Sequence, residues 1–446
     1  MEVEAYNFRE AMKGLTKSKW IIVSVYLMLI SYFYNLPVLN YSARGNNELR
    51  LYDVAGVVVI YLYFKYMGLV NKLIENNKAL NNLFHFLMWA NFTIIFTIID
   101  SILEDKIYWA LQSIKYLFHF WAFFIVTVFL QIIIQDLAQL KRIVNFTLIM
   151  ASVCFLVVVL QNFGIIPFLW SDDNWESYNG FLSGTLGPNK IVLGMTSLFV
   201  FTLAVGLLND KRIKMNKTIL MVTIVMSLLV LVMSGSRTSY VGLLVFLGYF
   251  FIRETISFIY SAIALVILAA AITAINPKII EKAVIVYEGR VENKIRDPQS
   301  LREAKVESVY EDLGSGRKGL SVLYIGYLME NPGIIPFGLG FNNRLSLISS
   351  AHNTYLSLIN EVGIVGVIFY FRWLFSYLGL KMSQFPKMRM ALKGLVLSML
   401  VTLFFGEHLY IYRPLFGLLG LFLFITTLLL SPILILYNEN EDRKAT

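Results

Sequence analysis

Residues 110–134 read ALQSIKYLFHFWAFFIVTVFLQIII, an apolar run punctuated by Gln112, Ser113, Lys115, His119, Thr127 and Gln131. A helix of about 20 residues crosses the roughly 30 Å of a bilayer's hydrocarbon, and this run is longer than that. A helix that is apolar nearly all round has no face to offer water, so it belongs in a membrane or a large core. Runs of similar character recur on both sides. With this one they make twelve: 20–39, 54–70, 83–100, 110–134, 143–163, 190–208, 218–234, 238–252, 256–276, 354–380, 388–406 and 414–436. The whole chain agrees. Of its 446 residues 57% are hydrophobic and 15% charged, against about 25% charged in a soluble domain, and the mean hydropathy is +0.66. This composition excludes a soluble enzyme, a disordered chain and a disulfide scaffold.

The expected fold is therefore an all-α polytopic membrane protein with about twelve transmembrane helices. Residues 1–276 carry helices one to nine, 277–353 form a large extracytoplasmic loop, and 354–446 carry helices ten to twelve and a cytoplasmic tail. The first run is not a cleavable signal peptide, because Tyr41-Ser42-Ala43-Arg44 leads straight on with no small-residue cleavage site. Cys154 is the one cysteine, so neither an intrachain disulfide nor a cysteine metal cluster is expected. His85, His119, His352 and His408 lack zinc-ligand spacing, and no metal or other cofactor is expected.

An even number of spans puts both termini on one side. If that side is the cytoplasm, the inner segments hold 19 basic residues and the short outer loops six. That bias favours N-in, C-in topology. It also accounts for much of the net charge of +9 without a nucleic-acid partner. The outer turn at Asp100, Glu104 and Asp105 is acidic, in keeping with this orientation. Two outer connections are long. One is the polar loop 164–189. The other is 277–353, in which 278–312 is densely charged and Gly319–Met329 has helical apolar spacing, too short to span and suited to the interface. Asn331-Pro332-Gly333 ends that helix.

Polar residues of chemical interest gather at the expected outer ends. Ser234-Gly235-Ser236-Arg237-Thr238-Ser239 forms a tight turn that sets Arg237 near a helix N-terminus, an anion site or a lipid-phosphate contact. Ser315-Gly316-Arg317-Lys318-Gly319 is a second basic turn, and Phe337-Gly338-Leu339-Gly340-Phe341 a flexible one. His352 stands at the wet end of span ten, as a base or an interfacial residue. Glu361, nine residues on, is too far along the helix to partner His352 and reads as a buried polar contact to another helix, while Gly363 and Gly366 read as close-packing positions. Glu407, His408 and Arg413 cluster between spans eleven and twelve, and Lys65, Lys115 and Arg372 lie inside apolar spans.

Read together, Phe181-Leu-Ser-Gly-Thr-Leu-Gly-Pro-Asn189, Ser234-Gly-Ser-Arg-Thr-Ser-Tyr-Val-Gly, Ser315-Gly-Arg, Gly338-Leu-Gly-Phe, His352-Asn-Thr-Tyr-Leu and Glu361-Val-Gly-Ile-Val-Gly366 resemble the O-antigen ligase and O-antigen polymerase (Wzy/WaaL-like) superfamily. The resemblance runs from about 180 to 370. It implies a GT-C-like architecture and a glycan carried on undecaprenyl diphosphate. It also implies metal-free, inverting transfer to an acceptor hydroxyl at the outer face of the bacterial inner membrane. Under it, Arg317 and Arg237 neutralise the departing diphosphate, and His352 is the base. Asn189, Asn353, Lys318, Glu407, His408 and Arg413 bind substrate, and a chain-length regulator is a plausible partner. A polymerase of lipid-linked repeat units is favoured over a ligase acting on lipid A core, and a flippase stands third.

Overall fold

The computed structural model describes residues 15, 18–39, 49–134, 136–167, 169, 184–187, 189–210, 213–253, 317–345, 351–379, 385–411 and 416–430. The expected span at 256–276, the charged segment 278–312 and most of the loop 164–189 lie outside them. The protein is an all-α membrane protein. Its helices are α1 (Lys19–Phe33), α2 (Leu51–Lys65), α3 (Met67–Asn76), α4 (Lys78–Leu103), α5 (Ile107–Ile133), α6 (Leu137–Asn162), α7 (Lys190–Asn209), α8 (Lys217–Met233), α9 (Arg237–Arg253), α10 (Arg317–Glu330), α11 (Thr354–Leu378), α12 (Pro386–Thr402) and α13 (Phe416–Leu430). A two-residue and a three-residue strand, β2 (Leu49–Arg50) and β1 (Pro37–Leu39), pair antiparallel ahead of α2.

Among the described residues six helices are long and apolar enough to cross a membrane, and a seventh span results if α2 and α3 count as one. The run expected as one span over 54–70 falls across two helices that meet at 91°. Helix starts follow local chemistry. The side-chain oxygens of Asn77, Asp136, Asn189, Asn216 and Asn353 each accept a backbone N–H of the turn that follows, meeting donors that a helix leaves open at its first turn.

Helices α5 and α7 form the centre. The most apolar windows of both are 89% buried, against 39% for α4 and 44% for α6, whose other faces are left to lipid. Contacts at the helix ends sort the connections into two groups. At one end, the Asn35 amide donates to Thr185 O, Thr97 Oγ1 to Phe341 O, Trp109 Nε1 to Asn342 O and Thr354 Oγ1 to Gly406 O. At the other, Asn82 Nδ2 donates to Arg372 O, and the Met388 amide donates to Asp210 Oδ2. The first end carries the described parts of the long connections, 184–187 and 331–345, and is called the loop-rich end below.

Helix α11 is broken at Gly363, whose φ of 66° and ψ of −177° lie outside helical space. The break frees backbone groups inside the bundle, where each unsatisfied one costs several kcal/mol. The segment 335–340 satisfies them. Leu339 N donates to Asn360 O and Gly340 N to Glu361 O, both at 2.8 Å, while Ile364 N donates to Ile335 O at 2.8 Å. Trp89 Nε1 takes Val362 O at 2.8 Å. Thus Gly363 ends the upper part of α11, and Gly366 is a second close-packed position, where a Cβ would stand 3.0 Å from Trp89 Cδ1. A Cβ on Gly363 would stand 2.4 Å from Pro336 O. Gly363→Ala should therefore cost at least about 2 kcal/mol, seen as a lower unfolding midpoint in detergent. An unchanged midpoint would show that the break is not required.

Candidate functional site

The segment that repairs the helix break continues into Asn342, Asn343 and Arg344. Asp100, at the end of α4, accepts from Asn343 Nδ2 at 2.6 Å, and Ser113 of α5 accepts from Asn342 Nδ2 at 2.8 Å. These bonds tie the segment to the two helices beside it and aim Arg344 inward. The Arg344 side chain is only 10% exposed. Its Nε donates to Glu361 Oε1 at 2.7 Å, its Nη1 lies 3.3 Å from Glu407 Oε2, and its Nη2 donates to Ile411 O at 3.3 Å. One guanidinium thus joins α11, the segment 335–345 and the connection 406–411.

Both carboxylates are otherwise engaged. Glu361 is fully buried, and its Oε2 accepts from the Asn342 amide at 3.0 Å. Glu407 accepts from the Ser357 hydroxyl, one turn up α11 from Glu361. Burial alone would pull the Arg344 pKa down, but the two carboxylates beside it hold it well above its ordinary value. The cluster is a fixed, charged site in a low-dielectric surrounding, where oriented groups act most strongly on charge that develops nearby.

His408 follows Glu407 and is fully buried. Its Nε2 lies 3.0 Å from Thr402 Oγ1, and Nδ1 has no hydrogen-bond partner among the described residues. Burial pushes its pKa down to about 3, so the imidazole is neutral at pH 7. His352 is half-buried and holds a left-handed backbone, φ 49°, a conformation non-glycine residues rarely adopt and one concentrated at functional positions. Its neighbour Asn353 caps α11, with Oδ1 accepting from the Tyr355 and Leu356 amides.

Arg237 is the first residue of α9 and is exposed. The turn before it is built as expected, with Gly235 at φ 60° and Ser236 Oγ accepting from the Ser239 amide. It belongs to the loop-rich end, because Ser398 Oγ, one turn before Thr402, donates to Gly242 O. Asn189 is at that end too, capping α7 through Ile191 N. Arg317 and Lys318 open α10, their side chains outside what is described, as is Arg413.

The structure thus joins Glu361 and Glu407, which stand apart in the sequence, and does so through Arg344, a residue that reading the sequence passed over. Glu361 was expected to contact another helix; its main partner comes instead from the connecting segment. The signal was an arginine between Asn342-Asn343 and an apolar stretch, just past a Gly-x-Gly turn. Comparison with protein-family models, curated proteins and solved structures returns no match.

Arg344→Met strands two carboxylates in the interior and should destabilise by about 3–5 kcal/mol, whereas Glu361→Gln leaves Arg344 its second partner Glu407 and should cost less. A double-mutant cycle should return about 1–3 kcal/mol of coupling; additive losses would show that the two side chains act independently. The depressed pKa of His408 sets a second expectation. The unfolded chain binds a proton there from about pH 6.5 downward and the folded chain not until about 3. Its contribution is therefore intact above pH 6.5 and falls by about 1.4 kcal/mol per pH unit below it. Acid titrations of unfolding midpoints should show a shallower decline for His408→Gln; identical slopes would refute this assignment.

Proposed function

We propose that this chain is a membrane glycosyltransferase that polymerises undecaprenyl-diphosphate-linked oligosaccharide repeat units into a surface polysaccharide. It works at the outer face of the bacterial inner membrane, with both termini cytoplasmic. In this reading the loop-rich end faces outward, the full chain has about twelve spans in a GT-C-like arrangement, and 277–353 is a large outer loop with short interfacial helices.

One observation carries the proposal. Gly338-Leu-Gly-Phe, the segment starting at His352 and Glu361-Val-Gly-Ile-Val-Gly366 are the sequence blocks behind the family resemblance. They come together around one buried charged cluster at a broken helix: Gly340 N bonds Glu361 O, Thr354 bonds Gly406 O, and Arg344 bonds Glu361 and Glu407. Broken helices in membrane proteins recur where polar substrates are handled, because the bundle must already satisfy the freed backbone groups.

The chemistry asked of the site is modest. An acceptor hydroxyl attacks the anomeric carbon, the bond from that carbon to the diphosphate oxygen breaks, and the configuration inverts. His352 takes the hydroxyl proton. Arg317 and Arg237 meet the growing negative charge on the diphosphate with charge-assisted hydrogen bonds. Asn189, Asn353, Lys318 and Arg413 hold the substrate, the buried Glu407 and His408 shape the site behind them, and no metal or cofactor takes part.

Purified protein given synthetic lipid-linked repeat units should yield a ladder of lengthening lipid-linked products, with EDTA present or absent. Product formed only after lipid A core is added would indicate a ligase; lipid movement without new glycosidic bonds would indicate a flippase. Asparagine tolerates the left-handed backbone of residue 352, so His352→Asn should fold normally yet lose at least about 100-fold in rate. Full-length polymer from that variant would remove His352 from the mechanism.

A further inference from the structure

A second charged cluster lies on another face of α5. Of the three cations inside apolar runs, Lys65 and Arg372 are exposed, with the Lys65 ammonium 5.3 Å above the Tyr66 ring. Lys115 differs. Its side chain is 34% exposed, and its Nζ is 3.8 Å from Asp53 Oδ1. The same oxygen lies 2.5 Å from Nε2 of His119, one turn further along α5. The other Asp53 oxygen accepts the Arg50 backbone N–H at 2.6 Å, and Arg50 Nη1 reaches the Tyr52 hydroxyl at 3.4 Å. Arg50, Asp53 and His119 are each at most 6% exposed. A single carboxylate thus gathers an ammonium and an imidazole from α5 and fixes the start of α2, where the arginine stands.

The depth is informative. Helix α5 has 27 residues, about 40 Å at 1.5 Å each, which exceeds the roughly 30 Å of hydrocarbon. Its first turns are in the connections of the loop-rich end, where Trp109 and Ser113 bond Asn342. Lys115, eight residues in, lies about 12 Å from that tip. A lysine at that depth can carry its ammonium toward the interface along its four-carbon stem. The start of α2 adds the positive end of its dipole.

We propose that Arg50 and Lys115, held in place by the Asp53–His119 pair, bind a lipid-borne phosphoryl group that enters from the side of Lys115. A planar fork from one element and a point charge from another suit a tetrahedral anion. The inference rests on the proposed function only for which lipid carries the phosphate.

Native mass spectrometry of the full-length protein with farnesyl diphosphate, with farnesol as the uncharged control, tests it. Wild type should retain one more farnesyl diphosphate than Lys115→Met, or bind it about tenfold to hundredfold more tightly, the size of a lost charge-assisted contact. Arg50→Met should behave likewise. Lys115→Glu provides a check if Arg50→Met does not fold. Competition by phosphatidylglycerol would show that any lipid phosphate suffices, and its failure to compete would select the diphosphate lipid; both support the site. Equal retention and affinity in wild type and Lys115→Met, or no binding to wild type, would overturn it. Binding is read without glycan transfer, so failure of the transfer assay leaves this result standing.

Discussion

An arginine side chain nine-tenths buried within a membrane bundle is tolerable only with partners of opposite charge close by. Arg344 has two, Glu361 and Glu407. That requirement shapes what surrounds it. The segment 335–345 must run into the bundle to deliver the guanidinium, so its backbone needs partners in a place without water. Helix α11 provides them by breaking at Gly363. The connection 406–411 must fold back to present Glu407 and the Ile411 carbonyl, and Thr354 and Tyr370 hold it there through Gly406 O and Leu409 O. Irregular backbone, buried charge and broken helix are mutually dependent.

The same arrangement leaves an organised polar region at one end of an otherwise apolar body. His352 stands at the top of α11 in a left-handed backbone, and Arg237 begins α9 beside the end of α12. For chemistry on a charged, lipid-carried sugar this has a physical merit. The groups are oriented before substrate arrives, and a low-dielectric surrounding magnifies their effect on developing charge.

Much of the helical framework was legible in the sequence because it rests on apolar runs long enough to cross a bilayer. The run at 110–134 emerges as α5, the turn at Ser234–Ser239 links α8 to α9 as expected, and Gly319–Met329 lies within α10. Less legible was anything set by contact between distant segments. Residues 54–70 are apolar throughout, and nothing in that pattern announces a 91° bend. Gly363 read as a packing residue, because hydropathy carries no record of a positive φ. Arg344 was invisible as a site residue, since its role depends on carboxylates 17 and 63 positions away. Glu407 was singled out from its charge at a helix end, but its partners Ser357 and Arg344 come from packing.

The central claim is that the Arg344 cluster holds in place the segments that carry out the chemistry and does not serve stability alone. The most direct measurement is glycan transfer by a purified Arg344→Met/Glu361→Gln/Glu407→Gln variant alongside wild type, each with its unfolding midpoint recorded. Neutral residues of similar volume often replace a buried charged cluster without loss of stability, so the variant should keep a midpoint near wild type. The account predicts that its transfer rate falls at least about 100-fold; a folded variant that builds polymer at the wild-type rate would contradict it.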